Sequence, residues 1–181
     1  WWPLAMTWAK NNEVGVRAGA VVSPTTSEQI ADVLVLCNQA RVPVTAAAGR
    51  SGVSGASIPI YGGIVLDLTG ITGIISVDRD SMIVDVFAGT FGNLLEETLR
   101  RDYNCTLGHW PQSIDLSTVG GWLACRGAGQ FSTRYGKIED MVIGLDAILA
   151  DGRTVTTGGA PRAASGPDLT QLFVGSEGTL G

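Results

Sequence analysis

The chain has 181 residues, 45% hydrophobic and 16% charged, with 25 glycines and a formal net charge of −5. That profile describes a globular domain, one large unit or two small lobes, and excludes a disordered or low-complexity chain. Its basic residues are scattered along an acidic chain, so no nucleic-acid partner is expected.

Residues 1–19 read as a lead-in, and the opening Trp1-Trp2-Pro3-Leu4, without an initiator Met, suggests a piece of a longer protein. Ala20-Val21-Val22 then predicts a short buried strand, closed by Ser23-Pro24. Thr25 with Glu28 three residues on resembles a capping box, and Ile30, Val33, Leu34 and Cys37 recur at helical spacing. The helix should stop near Ala40, because Val42-Pro43 favours extended backbone. Strands are expected over 42–45 and 64–68, which makes a βαβ unit in a parallel sheet. From about residue 70 the texture changes. Short strands are expected over 74–77 and 82–87, then an amphipathic helix over 91–101 with Leu94, Leu95 and Leu99 inward. A small-residue helical turn should occupy 117–125. Strands over 142–149 and 153–157 flank Asp151-Gly152, a strong hairpin signal. The class is α+β: lobe 1 spans about 20–70, and lobe 2, mixed or antiparallel, spans about 71–181.

The stretch AAAGRSGVSGA, residues 46–56, follows a strand as a phosphate-cradling loop should. It is not Walker A, since no Gly-Lys-Ser/Thr occurs in the chain, and its Gly49, Gly52 and Gly55 lack the dinucleotide spacing. Gly127-Ala128-Gly129 begins that spacing, but Ser132 stands where the last glycine belongs. What remains is a run of small residues whose amides can form an anion nest, with an ordinary turn as the alternative. Two more small-residue stretches, PQSIDLSTVGGWLACRGAG at 111–129 and GSEGTLG at 175–181, point to one long ligand lying across several backbone turns.

The succession AAAGRSGVSGA, PQSIDLSTVGGW, STRYGKIEDMV, ASGPDLTQLF and GSEGTLG resembles the PCMH-type FAD-binding domain of the vanillyl-alcohol-oxidase flavoenzymes. Within that family the motifs are most similar to those of the alkyldihydroxyacetonephosphate synthases and the bacterial FAD-linked oxidases. The resemblance implies two α/β lobes with non-covalent FAD between them. It assigns the pyrophosphate loop to Ala46, Ala47, Ala48, Gly49, Arg50, Ser51 and Gly52. Further flavin-contacting stretches are Gln112, Ser113, Ile114, Asp115, Leu116, Ser117 and Thr118; Cys125, Arg126, Gly127 and Ala128; and Glu177, Gly178, Thr179, Leu180 and Gly181. It implies either alkyl-for-acyl exchange on glycerone phosphate at flavin N5 or oxidation of a 2-hydroxy acid or alcohol. A cofactor-binding module without activity of its own is the further alternative. A small-molecule or lipid substrate would be held by a C-terminal cap domain, with the catalytic groups outside this chain; a homodimer stays open. The sequence departs from the synthase pattern at Ala48-Gly49-Arg50, where three glycines are usual, and at Trp110 and Gln112, where acidic residues are common.

The other candidates read as structural. His109, the one histidine, matches the synthase motif rather than a covalent attachment site. Gly52-Val53-Ser54-Gly55-Ala56 nearly spells a nucleophile elbow, yet the last glycine is missing, so a hydrolase is a distant alternative. Glu139-Asp140, taken as neighbours on a strand, would face opposite sides. Arg50 is expected to point away from the loop or to reach a phosphate. Trp110, Trp122, Phe87, Leu95 and Leu99 are expected in the core, and Arg134 and Tyr135 on a solvated loop or beside the flavin. Three cysteines without a CxxC pair make no dedicated metal site with one histidine, and they fit a reducing, cytoplasmic compartment with peripheral membrane contact open.

Overall fold

Thr26, not Thr25, caps the helix Ser27–Ala40 in the computed structural model, which describes residues 8, 10–13, 15–159 and 164–181; the opening residues 1–4 lie outside it. Thr26 is extended and its Oγ1 accepts the Gln29 amide at 3.3 Å, while Gln29 Oε1 accepts the Thr25 amide at 2.8 Å. The expected Thr25/Glu28 box is therefore replaced by a Thr26/Gln29 pair one residue on. Helix α1 (Ser27–Ala40) ends where Arg41 turns left-handed.

Strands β1 (Ala20–Val22), β2 (Val44–Ala47) and β3 (Ile64–Asp67) form a parallel sheet with β3 in the middle. The second strand begins two residues later than 42–45. Pro43 has no amide to donate, so its carbonyl takes Ile64 N–H at 2.9 Å and the ladder begins at Val44. Ala46 and Ala47 thus belong to the strand, and the loop proper begins at Ala48.

The hairpin of β4 (Ile74–Asp78) and β5 (Ile83–Val86) packs on helix α2 (Gly92–Tyr103) and the short α3 (Val119–Ala124). Leu95, Leu99, Ile114, Val119, Trp122 and Ile138 form the buried cluster, with Trp110 half-buried beside it. Two inward assignments fail. Leu94 is 51% exposed, because the buried stripe of α2 runs through Leu95, Glu96 and Leu99 instead. Phe87, 39% exposed, lies past the end of β5. Glu96 is buried because its carboxylate accepts from Thr106 Oγ1, the Leu107 amide and Arg100 Nε.

Short helices α4 (Ser132–Tyr135) and α5 (Ile138–Met141) follow, so Glu139 and Asp140 are neighbours on a helix, not on a strand. The hairpin of β6 (Gly144–Ile148) and β7 (Thr154–Gly158) forms across Asp151-Gly152 as expected. Gly152 has φ 82°, and a Cβ there would stand 2.4 Å from Val35 Cγ2, so the hairpin tip sits against α1. Helix α6 (Thr170–Phe173) leads into the final small-residue turn.

Candidate cofactor site

Four separated stretches meet at the C-terminal ends of β2 and β3. Gly49 lies against the Leu116-Ser117 backbone so closely that a Cβ on it would stand 2.0 Å from the Leu116 carbonyl oxygen. Gly52 faces Cys125, its Cβ position 3.9 Å from the thiol sulfur. Ser54 Oγ donates to Glu177 Oε1 at 3.2 Å across 123 residues of sequence, and a Cβ on Gly178 would touch Ala46 Cβ at 3.2 Å. The Glu177 amide donates to Ala124 O and the Gly175 amide to Leu123 O, which ties the last turn to the end of α3.

Local chemistry places each stretch. The turn at 113–117 is held by Leu116 and Ser117 amides, both donating to Ser113 O at 2.8 Å. Trp122 Nε1 donates to buried Ser117 Oγ at 2.7 Å, and Thr118 caps α3 through Oγ1 and the Gly121 amide. Ser117, Thr118 and Ile114 have side chains committed to the fold, and their backbone is bonded within it too: the Ile114 and Ser117 amides donate to Pro111 O and Ser113 O, and the Ile114, Ser117 and Thr118 carbonyls accept from the Asn93, Gly92 and Trp122 amides. Gln112, Asp115 and Leu116 are exposed, as are Cys125, Arg126 and Ala128, and residues 177–181. The Arg126 side chain is drawn away, toward Gln171 Oε1 at 3.0 Å and Glu139 Oε1 at 3.5 Å. Arg134 lies over the Tyr135 ring, and that ring packs on Gly108.

Three non-glycine residues of these stretches have left-handed backbone: Arg50 (φ 54°), Arg126 (φ 54°) and Glu177 (φ 52°). Such strain persists where side-chain contacts hold it, and here each residue has such a contact. Arg50 pairs with Asp67 at 2.7 Å, Arg126 with Glu139 and Gln171, and Glu177 with Ser54. Asp67 and Gln171 were not singled out in the sequence, and Ser54 was weighed there only as the centre of a near nucleophile elbow. Asp67 carried a signal, because an aspartate closing a strand before Leu68-Thr69-Gly70 can cap that 3-10 turn, as it does through the Thr69 amide. Burial raises the Asp67 pKa, but hydrogen bonds from Thr69 and Arg50 outweigh it and hold it below its ordinary value. Burial, then the Glu177 charge, pushes the Cys125 thiol up, so it faces Gly52 as a neutral group.

The residues fit a pyrophosphate. Among the described residues the amides of Ser51, Gly52 and Val53 donate to no protein acceptor, and Gly52 leaves the space beside them open. Behind the 125–129 stretch, His109 is 1% exposed and edge-on to Trp122 at 4.6 Å between ring centroids. Neither ring nitrogen has a partner among the described residues. Burial holds its pKa below the ordinary 6.5. The unfolded imidazole takes up a proton near that pH and the folded one resists it. Stability is thus complete above 6.5 and falls as the solution is acidified, by at most about 1.4 kcal/mol per pH unit. Urea unfolding at pH 7.5, 6.5 and 5.5 should show this slope, and His109→Phe should flatten it, since the chain has no other histidine.

Among the described residues no group of His, Cys, Asp and Glu could hold a metal ion, and no helix is long and apolar enough to cross a membrane. The protein-family profile described as "FAD binding domain" matches residues 18–158. The FAD-linked oxidoreductase YgcU of Escherichia coli (strain K12) is 40% identical over 164 residues, 89% of this chain and 33% of YgcU. A solved alkyldihydroxyacetonephosphate synthase superposes with a TM-score of 0.81 at 31% identity, covering 89% of this chain and 29% of that one. A p-cresol methylhydroxylase structure, at TM-score 0.75 and 22% identity over 94% of this chain and 36% of its own, shares the fold. The chain thus spans about a third of the length of the relatives it matches. With its α+β, PCMH-type fold, the chain belongs to the FAD-binding domain family, and FAD is its cofactor.

Proposed function

We propose that the chain holds FAD non-covalently between its two lobes, about 20–70 and 71–181, with residues 1–19 as a lead-in. In this reading it forms the FAD-binding part of a flavoenzyme resembling the alkyldihydroxyacetonephosphate synthases. The observation that supports it is the convergence of loop 48–54 with 113–118, 125–128 and 177–178, drawn together by the Ser54–Glu177 bond. The amides of Ser51, Gly52 and Val53 would take the pyrophosphate, each charge-assisted bond worth about 1.5–3 kcal/mol. The 112–118 and 125–128 backbones would line the ring system, with Trp122 and His109 as the dry wall behind them. When bound, FAD supplies at N5 either an atom that captures a substrate carbon or a hydride acceptor; the protein contributes placement and electrostatics. The first gives alkyl-for-acyl exchange on glycerone phosphate. The second gives oxidation of a 2-hydroxy acid or alcohol; the similarity to YgcU supports FAD-linked oxidoreduction, the class to which that reaction belongs. Substrate, small molecule or lipid, and the acid/base group would belong to a cap domain beyond these residues.

The experiment has two stages. Acid release and chromatography of the bound yellow cofactor should yield FAD; FMN, or flavin surviving precipitation with the protein, would refute the reading. The FAD-loaded 181-residue chain is then assayed with acyl-glycerone phosphate plus fatty alcohol, and with 2-hydroxy acids. The expected result is a bound flavin without turnover; rates of roughly 1 per second or more would place the catalytic groups inside this chain.

A further inference from the structure

We propose that Arg50 is a positioning residue of the cofactor loop: it acts through its ion pair with Asp67, not by touching phosphate. This rests on the FAD reading above and adds to it the device that sets the loop. The loop needs one. Arg50 sits at φ 54°, a conformation that a residue with a Cβ avoids unless something holds it, and the three amides offered to the ligand follow directly at Ser51, Gly52 and Val53.

Asp67 is placed to do the holding. It ends the central strand, and its side chain is 15% exposed. Its Oδ1 accepts the Thr69 amide at 3.1 Å and Thr69 Oγ1 at 2.7 Å, which leaves Oδ2 to accept from Arg50 Nη2, 2.7 Å away. A fixed carboxylate on a central strand is a rigid anchor for a loop leaving the neighbouring strand.

The sheet geometry separates this role from a phosphate contact. Thr45 pairs with Val65, Ala46 with Leu66 and Ala47 with Asp67, so Ala47 and Asp67 share a face with Val65 and Val21. Arg50 lines a cavity with Val21 and Val65, on that face. Ala46 belongs to the opposite face, and there Gly178 of the last turn packs on it. The guanidinium therefore lies across the sheet from a turn that helps form the cleft. It reaches the ligand through the backbone it anchors.

The test is FAD titration of the full chain, followed by flavin fluorescence at a temperature where circular dichroism shows every variant folded. Arg50→Ala and Asp67→Asn should each weaken FAD about tenfold, or about 1.4 kcal/mol. The double variant should be no weaker than either single one, because both remove the same clamp. A direct phosphate contact predicts the reverse for Asp67→Asn: the guanidinium, released from Asp67, would bind FAD as well as before or more tightly, and that result overturns the proposal. Should Asp67→Asn not fold, Arg50→Gly decides. Glycine adopts φ 54° without being held, so a clamp predicts affinity restored to within about threefold of the wild type. A phosphate contact instead predicts the same loss as Arg50→Ala, which overturns the clamp. A wild-type chain that binds no FAD sinks the cofactor reading itself, whereas wild-type binding with unchanged Asp67→Asn sinks the clamp alone.

Discussion

Gly52→Val is expected to lower FAD affinity about a hundredfold or more while leaving the chain as stable as before. The two halves of that result have separate causes. Gly52 does not have a left-handed backbone, and a Cβ on it would meet the Cys125 sulfur at an ordinary contact of 3.9 Å, so the unliganded fold can accept a side chain. A surface change of this kind stays within about 0.5 kcal/mol. The ligand cannot accept it, because two branched methyls would stand over the amides of Gly52 and Val53 where the pyrophosphate must approach. Losing two charge-assisted bonds of about 1.5–3 kcal/mol each removes at least about 3 kcal/mol, or roughly two powers of ten in Kd. Flavin titration and thermal unfolding of the same sample read both halves. Normal FAD binding by Gly52→Val would reduce the loop to a plain turn between strands.

What the sequence made legible was local. The parallel unit could be read because β-branched runs, helical spacing and Pro43 punctuate it, and the last hairpin because Asp151-Gly152 permits little else. The three small-residue stretches stood out for a related reason, since a backbone that must come close to a ligand is written in glycine, alanine and serine; the family resemblance divided them into four candidate cofactor segments. Side-chain destinations were less visible. Leu94 and Leu95 have the same chemistry, and only the angle at which α2 meets β4 and β5 sends Leu95 inward and leaves Leu94 outside. Glu139 looked like a strand residue until Lys137 and Asp140 closed a helical turn around it. The contacts that assemble the site were least legible, since Ser54 reaches Glu177 and Arg50 reaches Asp67 through the fold rather than through spacing. Arg50 had two open destinations in the sequence, away from the loop or onto a phosphate. In the structure the Asp67 carboxylate takes the Arg50 guanidinium, and no periodicity announced that pairing.

Gly49→Ala should do what Gly52→Val does not: lose the fold's stability and the cofactor together. The atom closest to a new Cβ is the Leu116 carbonyl oxygen at 2.0 Å, followed by Leu116 C at 3.0 Å and Ser117 Cα at 3.1 Å. All three are backbone, so no rotamer relieves the overlap. The turn they belong to is stiff. Ser113 O holds the Leu116 and Ser117 amides, Ser117 O takes the Gly92 amide at 3.0 Å, and Ser117 Oγ takes the buried Trp122 indole. The loop must therefore move, and it carries the amides of Ser51, Gly52 and Val53 with it, away from Cys125 and Glu177. Overpacking at such a contact costs about 3 kcal/mol, which for a chain of this size lowers Tm by roughly 6–12 °C. FAD binding should fall below detection in the same preparation, and added FAD should no longer raise Tm as it does for the wild type. A Gly49→Ala chain that melts with the wild type would mean that loop and turn are not in contact, and the convergence on which the site depends would fail with it.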